Sequence, residues 1–291
     1  MKVSVITTVW NVEKWLDKNI QAFLNQTLKE SELILVNDCS PDNSKDIIAK
    51  YNDSRIKVIN NETNLGPGVS RQLGLDNSCG EYTIFVDGDD WLEPDCLETM
   101  YNEAINQNAD IVSCKTIQHN DYGLHKIVKK GATYVAIDFY NFINNKLIKR
   151  DIWSKTHYSP LRFREDINTL FRCLEYSNNT IMIDYAGYHY NLRPNSLTST
   201  PNIAGKSYIY NCLAIIENLE FFKEKGIEPK GMCKSQYNIT TLIYAFGLGK
   251  SLLGKDVELY EEECSIIKKY IDENNPFKGK FLNFFKNEKK N

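Results

Sequence analysis

The first hundred residues alternate between two hydrophobic periods, and this alternation limits the fold more than any other feature. Short apolar, β-branched runs of strand length are separated by segments with helical spacing. The predicted strands are residues 3–9, 32–37, 56–60 and 82–86. Three helices are predicted between them: the first follows an N-cap at Asn11, the second begins at Ser44 and the third begins near Gly66. Strand–helix–strand units with short links form right-handed crossovers, which give a parallel sheet covered on both faces. We therefore predict a doubly wound α/β fold here.

From about residue 110 the pattern changes. The predicted strands are residues 110–118, 124–130, 179–184 and 186–191, and the predicted helices are residues 137–148 and 162–176. Beyond residue 203 three helical segments are predicted, at residues 204–225, 232–253 and 256–273. The predicted organisation is an α/β half over residues 1–110, a mixed half over residues 111–202 and a helical region over residues 203–291.

Polar side chains follow the four predicted strands of the α/β half. Thr8 and Asn11 follow the first strand, Asp38 the second, Arg71 the third, and an acidic cluster that begins at Asp87 the fourth. In open α/β sheets, ligands bind beyond the carboxyl ends of the strands, because the loops diverge there. These residues therefore predict one shared ligand cleft.

The acidic cluster lies in TIFVDGDDW, residues 83–91, and contains Asp87, Asp89 and Asp90. Like charges at this spacing repel each other, so the cluster needs a cation or solvent to compensate. Residues two apart in an extended segment face the same side, so Asp87 and Asp89 can converge on one Mg²⁺ or Mn²⁺ ion that also binds phosphate oxygens. The alternative is a plain turn or helix cap, since Asp favours both.

Composition excludes several classes of protein. A hydrophobic content of 42% over 291 residues is enough for a sizeable core, and a net charge of −3 gives no overall basic field for nucleic acid. The eight cysteines form no CxxC motif, and no secretory segment precedes the first predicted strand. We expect reduced thiols in a cytoplasmic protein without membrane-spanning segments.

Three stretches together resemble the nucleotide-binding half of family-two glycosyltransferases of the GT-A fold. They are TTVWNVEKWLDKNIQAFLNQT, LILVNDCSPDNS and NLGPGVSRQLGLDNSCGEYTIFVDGDDWLEPD. The resemblance covers residues 1–110 closely and residues 145–200 in part, whereas residues 203–291 carry none of it. It implies a Rossmann-like, mostly parallel nucleotide-sugar-binding half, followed by a mixed acceptor-side half.

The resemblance also implies roles for the residues around the nucleotide. Asp38 would bond the base of a nucleoside diphosphate sugar, usually a uridine, with Thr8 and Asn11 nearby and Arg71 close to the nucleotide. A carboxylate can accept the ring N–H of a pyrimidine. The family often has Asp where this chain has Asn37, so the base contact rests on Asp38.

A metal site is implied in the same way. Asp89 would be the principal ligand of Mn²⁺ or Mg²⁺, and Asp87 would share the metal or approach the ribose. Residues 188–196, YHYNLRPNS, resemble the family's Y-x-Y-x-x-R-x-x-S element. His189 or Arg193 in this element would touch the metal or the diphosphate, although a single His in a strand is often structural.

The catalytic base is implied at Asp166, in the sequence FRED of residues 163–166. This pair resembles the ED element of inverting family members, whose second residue takes the proton of the acceptor hydroxyl. The stretch NKLIKR, residues 145–150, matches the family pattern upstream and supports this alignment. The alternative is helix capping, since helix N-termini favour carboxylates.

The C-terminal residues 276–291 place four Phe residues at helical spacing among five Lys residues. Such a basic aromatic segment can lie on an anionic membrane surface, which would suit a lipid-linked acceptor at the inner face of the cell membrane. The alternative is a tail whose charged side is solvated.

These features predict a metal-dependent inverting glycosyltransferase that acts on a UDP-sugar and on a glycan, lipid-linked or protein-linked acceptor in polysaccharide biosynthesis. One alternative is a sugar nucleotidyltransferase, which needs a Gly-rich, Arg-containing loop after the first strand, where this chain has TTVWNVEKW. Another is a non-catalytic relative that binds sugar nucleotides. Nothing in the sequence specifies the donor sugar or the linkage.

Overall fold

A computed structural model describes residues 1–120, 132–136, 142–193, 196, 203–229, 234 and 238–274. The chain divides into two compact units, Met1–Thr200 and Pro201–Asn291. The strands of the first unit are β1 (Val3–Val9), β2 (Ser31–Asn37), β3 (Ile56–Asn60), β4 (Tyr82–Phe85), β5 (Trp91–Leu92), β6 (Ile111–Asn120), β7 (Ala132–Ala136), β8 (Lys146–Lys149) and β9 (Thr180–Asn191). Its helices are α1 (Glu13–Leu24), α2 (Ser44–Ile48), α3 (Pro67–Asp76), α4 (Cys96–Asn106), α5 (Arg150–Trp153) and α6 (Glu165–Tyr176).

All these strands form one sheet in the order β3-β2-β1-β4-β8-β6-β9-β5, with β7 paired to β6. The strands β3, β2, β1 and β4 are parallel, and β8 joins β4 in the antiparallel direction. The predicted α/β fold, with a mostly parallel first half and a mixed second half, is confirmed. Both halves belong to one continuous sheet.

The sheet has an apolar layer on each face, as its alternating side chains require. Val3 and Val5 of β1 belong to a core cluster with Leu16 of α1, whereas Ile6 belongs to the cluster on the other face. On that second face α3 approaches β1 closely at Gly74, where an added Cβ would lie 2.4 Å from the Ile6 side chain. Each fully buried aliphatic side chain contributes about 1.5–3 kcal/mol.

Two predictions in the mixed half are wrong. Of the helix predicted over residues 137–148, residues 137–141 lie outside the described residues, and residues 142–148 are not helical. Residues 146–148 belong to strand β8, because buried Leu147 and Ile148 lie between β4 and β6. The two short strands predicted at residues 179–184 and 186–191 form one continuous strand, β9, whose irregular pairing with β6 absorbs the break. The predicted strand at residues 124–130 lies outside the described residues.

The described residues of the second unit are mainly helical. They include α7 (Ile203–Glu224), α8 (Ile239–Leu253), a 3₁₀ helix (Gly254–Tyr260) and α9 (Glu261–Asn274). The helix predicted from residue 232 begins at Ile239, where the Asn238 side chain accepts a hydrogen bond from the Thr241 N–H at 2.9 Å. None of the helices that the structure describes is long and apolar enough to cross a membrane. The basic aromatic residues 276–291 lie outside the described part of the chain.

Candidate active site

The carboxyl ends of three parallel strands lie side by side and carry the polar residues singled out in the sequence. Strand β1 lies between β2 and β4, with Val9 opposite Asn37 and Ile6 opposite Phe85. The loops after these strands therefore start at one edge of the sheet, where Thr8, Asp38 and Asp87 lie. This is the edge at which open α/β sheets bind ligands.

The loop after β2 organises the start of α1, and here the prediction that Asn11 caps this helix is wrong. The helix begins at Glu13, whose N–H donates to Asp42 Oδ2 at 2.8 Å. Asn11 instead adopts a positive φ of 54°, and its N–H donates to Ser40 Oγ at 2.8 Å. The cap therefore comes from a residue distant in sequence, which leaves the exposed Asn11 side chain free of the capping role.

Asp38 is buried beneath the loop that follows β3. Its Oδ1 accepts hydrogen bonds from Asn61 Nδ2 and the Leu65 N–H, both at 2.8 Å, and its Oδ2 accepts the Gly66 N–H at 2.9 Å. Gly66 has a φ of 90°, a conformation that favours glycine. A carboxylate has about four acceptor positions, so Oδ2 keeps one for a further donor.

Arg71 of α3 is the centre of the site. It is only 6% exposed, and its guanidinium bonds two carboxylates from different elements. Its Nη2 donates to Asp87 Oδ1 at 2.7 Å, and its Nη1 donates to Glu165 Oε1 at 2.6 Å. Arg71 thereby joins the end of β4 to the first turn of α6.

Asp87 is held by two donors. Besides Arg71, the Asn144 amide donates to Asp87 Oδ2 at 2.8 Å, and the Asp87 side chain remains 31% exposed. The sequence analysis did not identify Asn144. The available signal was its position directly before Asn145, the first residue of the recognised NKLIKR stretch.

Asp89 and Arg193 form an ion pair through Oδ2 and Nε. Both side chains are mostly buried, at 14% and 12% exposed, and the Arg193 guanidinium carbon lies 5.2 Å from the centre of the Trp15 ring. Burial raises the pKa of Asp89, an effect that the Arg193 charge opposes. The structure thus brings together two predicted site residues that are far apart in the sequence.

Asp90, the third acid of the cluster, has a structural role. It is 1% exposed, its Oδ2 accepts the Tyr188 hydroxyl at 2.5 Å, and its Oδ1 accepts the Asn191 N–H at 2.9 Å. Burial, together with the charges of Asp89 and Asp87, raises the pKa of Asp90 well above its ordinary value. Asp90 therefore anchors the acidic turn to β9.

His189 lies on β9 with both ring nitrogens engaged. Nε2 lies 2.8 Å from Glu93 Oε1, and Nδ1 lies 2.8 Å from His119 Nε2. Its ring stacks on Trp91 with centroids 4.9 Å apart, and burial lowers the pKa of His189. A metal ion would have to replace one of these contacts, so the predicted ligand role of His189 requires a rearrangement.

The donor chemistry of the acidic turn suits a divalent cation. Among the described residues, no three His, Cys, Asp or Glu side chains are grouped to hold a metal ion. Mg²⁺ and Mn²⁺, however, are commonly bound by one or two carboxylates together with substrate phosphates and water. Asp87 and Asp89 are the two residues that would supply such a carboxylate pair.

The acidic pair Glu165 and Asp166 opens α6 after Arg164, which has a positive φ of 64°. Burial raises the pKa of Asp166, and the charge of Arg71 and the Ile167 N–H oppose this. Burial, then the charge of Asp166, raises the pKa of Glu165 to about 7. The predicted base therefore lies within electrostatic range of Arg71.

The family of the chain follows from its sequence. Residues 4–171, more than half of the chain, match the sequence model of Glycosyl transferase family 2. The chain belongs to this family. Its match includes β1–β4, the acidic turn and the first turn of α6, so the family region contains Arg71, Asp87 and Asp166.

Curated relatives support this membership. The chain is 31% identical to EpsH of Bacillus subtilis over 245 residues, covering 77% of this chain and 70% of EpsH. It is 30% identical to the B. subtilis glycosyltransferase EpsJ over 227 residues, covering 68% of this chain and 63% of EpsJ. With GlyA of Streptococcus pneumoniae, 42% identity extends over 112 residues, 38% of this chain and only 16% of GlyA.

The fold resembles that of S. aureus TarS solved in complex with UDP-GlcNAc. The TM-score is 0.68 at 21% sequence identity, over 92% of this chain and 79% of the TarS chain. This likeness confirms a GT-A type fold.

Proposed function

We propose that this chain is an inverting glycosyltransferase that moves a sugar from a UDP-sugar to a hydroxyl of a glycan, lipid-linked or protein-linked acceptor in cell-surface polysaccharide synthesis. The observation that carries the proposal is the Arg71 bridge. It joins Asp87, at the donor end of β4, to Glu165, which neighbours the candidate base Asp166. Donor-side and acceptor-side groups thereby meet in one cluster.

Two relatives support the choice of donor and polymer. S. aureus TarS, 26% identical over 229 residues, is named a poly(ribitol-phosphate) β-N-acetylglucosaminyltransferase, and its fold was solved with UDP-GlcNAc. TuaG of B. subtilis, 27% identical over 231 residues, is named for teichuronic acid biosynthesis. We extend to this chain the shared class, a UDP-sugar and a cell-surface polymer.

The donor base would lie at the loops after β1 and β2. Asp38 Oδ2 has one acceptor position for a pyrimidine ring N–H, and its other contacts fix the orientation of the carboxylate. Thr8 lies near the carboxyl end of β1 and Asn11 follows it, at the same edge of the sheet. This region would bind the nucleoside and leave the acidic turn for the diphosphate.

Asp89, with Asp87, would hold Mn²⁺ or Mg²⁺, and such an ion neutralises charge on a leaving diphosphate when bound. In this structure Arg193 forms an ion pair with the Asp89 carboxylate. Release of Arg193 from Asp89 would place a second cationic group at the diphosphate, where a guanidinium binds phosphate oxygens well.

Asp166 would act as general base in a single displacement. The acceptor hydroxyl oxygen attacks the anomeric carbon, the bond from that carbon to the diphosphate oxygen breaks, and UDP leaves with the bonding electrons. The hydroxyl proton passes to the Asp166 carboxylate, and the anomeric centre inverts. The raised pKa of Asp166 improves it as a base, because base strength increases with pKa.

A thermal-shift panel of UDP-sugars with Mn²⁺ tests the donor class first, since a ligand that binds the native state raises Tm. The selected UDP-sugar then serves in a UDP-release assay, in which water takes the place of the acceptor hydroxyl and is deprotonated by the same base. We expect Asp166→Asn to keep donor affinity and to lower UDP release by at least a hundredfold. Asp184→Asn is the matched control, because Asp184 is 90% exposed and pairs only with Lys115 among the described residues.

Wild-type release by Asp166→Asn would move the base elsewhere. Tight donor binding by the wild type without any release or transfer would favour the non-catalytic relative. A panel in which no UDP-sugar raises Tm would remove the donor assignment.

A further inference from the structure

The hydroxyl of Tyr158 is a buried polar group that the proposed mechanism does not use. Tyr158 is 1% exposed, and among the residues that the structure describes its hydroxyl has no hydrogen-bond partner. Buried hydroxyls are almost always hydrogen-bonded, because leaving one without a partner costs stability. A buried hydroxyl without a partner beside a candidate active site indicates that the hydroxyl forms its hydrogen bond in another state of the enzyme.

Tyr158 lies against the charged cluster. Its ring packs edge-on against Phe85, the last residue of β4, with centroids 5.0 Å apart, and the Arg71 guanidinium carbon lies 5.4 Å from the ring centre. The hydroxyl interacts electrostatically with Arg71, Glu165, Asp166 and, more weakly, Asp87. Burial raises its pKa well above the ordinary value, so the hydroxyl keeps its proton and can donate it in a hydrogen bond.

The backbone around Tyr158 is fixed to the two helices that supply this cluster. The Tyr158 N–H donates to Gln72 Oε1 of α3 at 2.6 Å, next to Arg71. The following N–H, that of Ser159, donates to Thr169 Oγ1 of α6 at 2.9 Å, and Thr169 Oγ1 donates to the Glu165 carbonyl at 2.6 Å. The position of the hydroxyl is therefore set from both sides.

Three carboxylates could accept a hydrogen bond from this hydroxyl, and they differ in the hydrogen bonds that they already accept. Both oxygens of Asp87 already accept hydrogen bonds, from Arg71 and Asn144, and Glu165 pairs with Arg71 at 2.6 Å. Asp166 has the Ile167 N–H of its own helical turn beside it, which opposes the effect of burial on its pKa. Asp166 is therefore the one of the three carboxylates that accepts no side-chain hydrogen bond among the described residues.

We propose that Tyr158 is a positioning residue whose hydroxyl donates a hydrogen bond to the Asp166 carboxylate in the donor-bound enzyme. The bond holds one carboxylate oxygen in place, so that the other faces the acceptor hydroxyl. This inference rests on the proposed role of Asp166 as general base. We therefore expect the Tyr158 hydroxyl to affect kcat and to leave the affinity for the donor unchanged.

Tyr158→Phe removes the hydroxyl and keeps the ring that packs on Phe85. We expect kcat for UDP release from the selected UDP-sugar to fall about tenfold or more, with the donor KM, the donor Kd by calorimetry and Tm unchanged. The acid limb of the pH profile of kcat moves to higher pH, because the ionised Asp166 loses a donor. The other charges facing Asp166 are those of Arg71, Asp87 and Arg164, and Glu165 adjoins it; the substitution leaves all four in place.

Tyr82→Phe is the matched control. Tyr82 is 2% exposed, lies at the amino end of β4, and donates its hydroxyl to the Ala109 carbonyl at 2.9 Å. We expect this variant to lower Tm and to keep kcat, the reverse of Tyr158→Phe.

Three results would overturn the inference: wild-type kcat in Tyr158→Phe, a lower Tm with unchanged kcat, or weaker donor binding with unchanged kcat. Asp166→Asn in the same assay separates this failure from failure of the proposed function. If Asp166→Asn is inactive and Tyr158→Phe is not, only the role of Tyr158 is refuted. If Asp166→Asn is active, the base assignment itself fails.

Discussion

Acidic side chains are buried at both the amino and the carboxyl ends of the sheet, but their pKa values are shifted in opposite directions. At the amino end Glu32 is 2% exposed and is fully surrounded by donors. The Ser4 hydroxyl lies at 2.7 Å, the Cys79 N–H at 2.6 Å and Lys57 Nζ at 2.7 Å. Burial would raise the pKa of Glu32, but these contacts outweigh it and hold that pKa at about 2.

At the carboxyl end, Asp89, Asp90 and Glu165 each have fewer donors than Glu32 has. Burial raises the pKa of Asp89 and of Asp90, and it raises the pKa of Glu165 to about 7. Neighbouring carboxylates add to the effect, and Arg71 and Arg193 offset only part of it. Asp89, Asp90 and Glu165 therefore cost stability when ionised. Acids with raised pKa values are common at functional sites.

Donor supply, and not burial, separates Glu32 from Asp89 and Glu165, because all three side chains are largely buried. Glu32 stabilises the fold in its ionised form. Asp89 and Asp166 have acceptor capacity left for groups that arrive with a substrate.

Replacing Arg71 should have the largest effect on stability. Arg71→Ala leaves Asp87 and Glu165 without their shared cation, and removing one partner of a buried ion pair costs about 3–5 kcal/mol. Urea denaturation measures the loss. The control is Arg55→Ala, because the Arg55 and Asp53 side chains of that ion pair are 19% and 31% exposed. This variant should lower the free energy of unfolding by no more than about 1 kcal/mol. Equal losses in the two variants would show that burial adds nothing to the Arg71 network.

Glu32→Gln should have the next largest effect. We expect a loss of about 2 kcal/mol in the free energy of unfolding at pH 7, after allowing for the half-exposed Lys57. Since the pKa of Glu32 is lowered from 4.5 to about 2, the wild-type advantage is fully present above pH 4.5 and is lost as the pH falls through about 2. Urea titrations at pH 7, 4 and 3 follow it. A loss that does not change with pH would contradict the ionised state of Glu32.

Glu165→Gln should have a smaller effect with the opposite dependence on pH. Because the folded state raises the pKa of Glu165 from 4.5 to about 7, it binds a proton more tightly than the unfolded state does. The stability contribution of Glu165 therefore falls as the pH rises from about 4.5 to 7. Relative to wild type, Glu165→Gln should gain about 1 kcal/mol between pH 5 and pH 8. A relative loss over this range would mean that Glu165 resembles Glu32.

The sequence predicts the α/β half well because its signals are local. Strands β1, β2 and β4 are short apolar runs buried on both faces, and α1 has an apolar stripe at helical spacing. Strand β8 escaped prediction because its four residues match either period, and only pairing with β4 and β6 makes it a strand. Tertiary pairing of this kind leaves no local trace.

The same limit applies to the site. Asp87, Asp89 and Asp166 stand out in the sequence through their motifs. The contacts that orient Asp87 and Asp89 come from Arg71, Asn144 and Arg193, which no motif links to these partners. Tyr158 carries no motif, and its significance depends on a hydroxyl without a partner, which only the folded structure can show.

The most direct test of the central claim is calorimetric titration of UDP into the protein with Mn²⁺ and with EDTA, for wild type and Asp89→Asn. The claim is that the carboxyl-end acids are retained to bind a metal–diphosphate pair. It predicts that Mn²⁺ strengthens UDP binding at least tenfold in the wild type and has no effect in Asp89→Asn. Equal UDP affinity of the wild type with Mn²⁺ and with EDTA would contradict it.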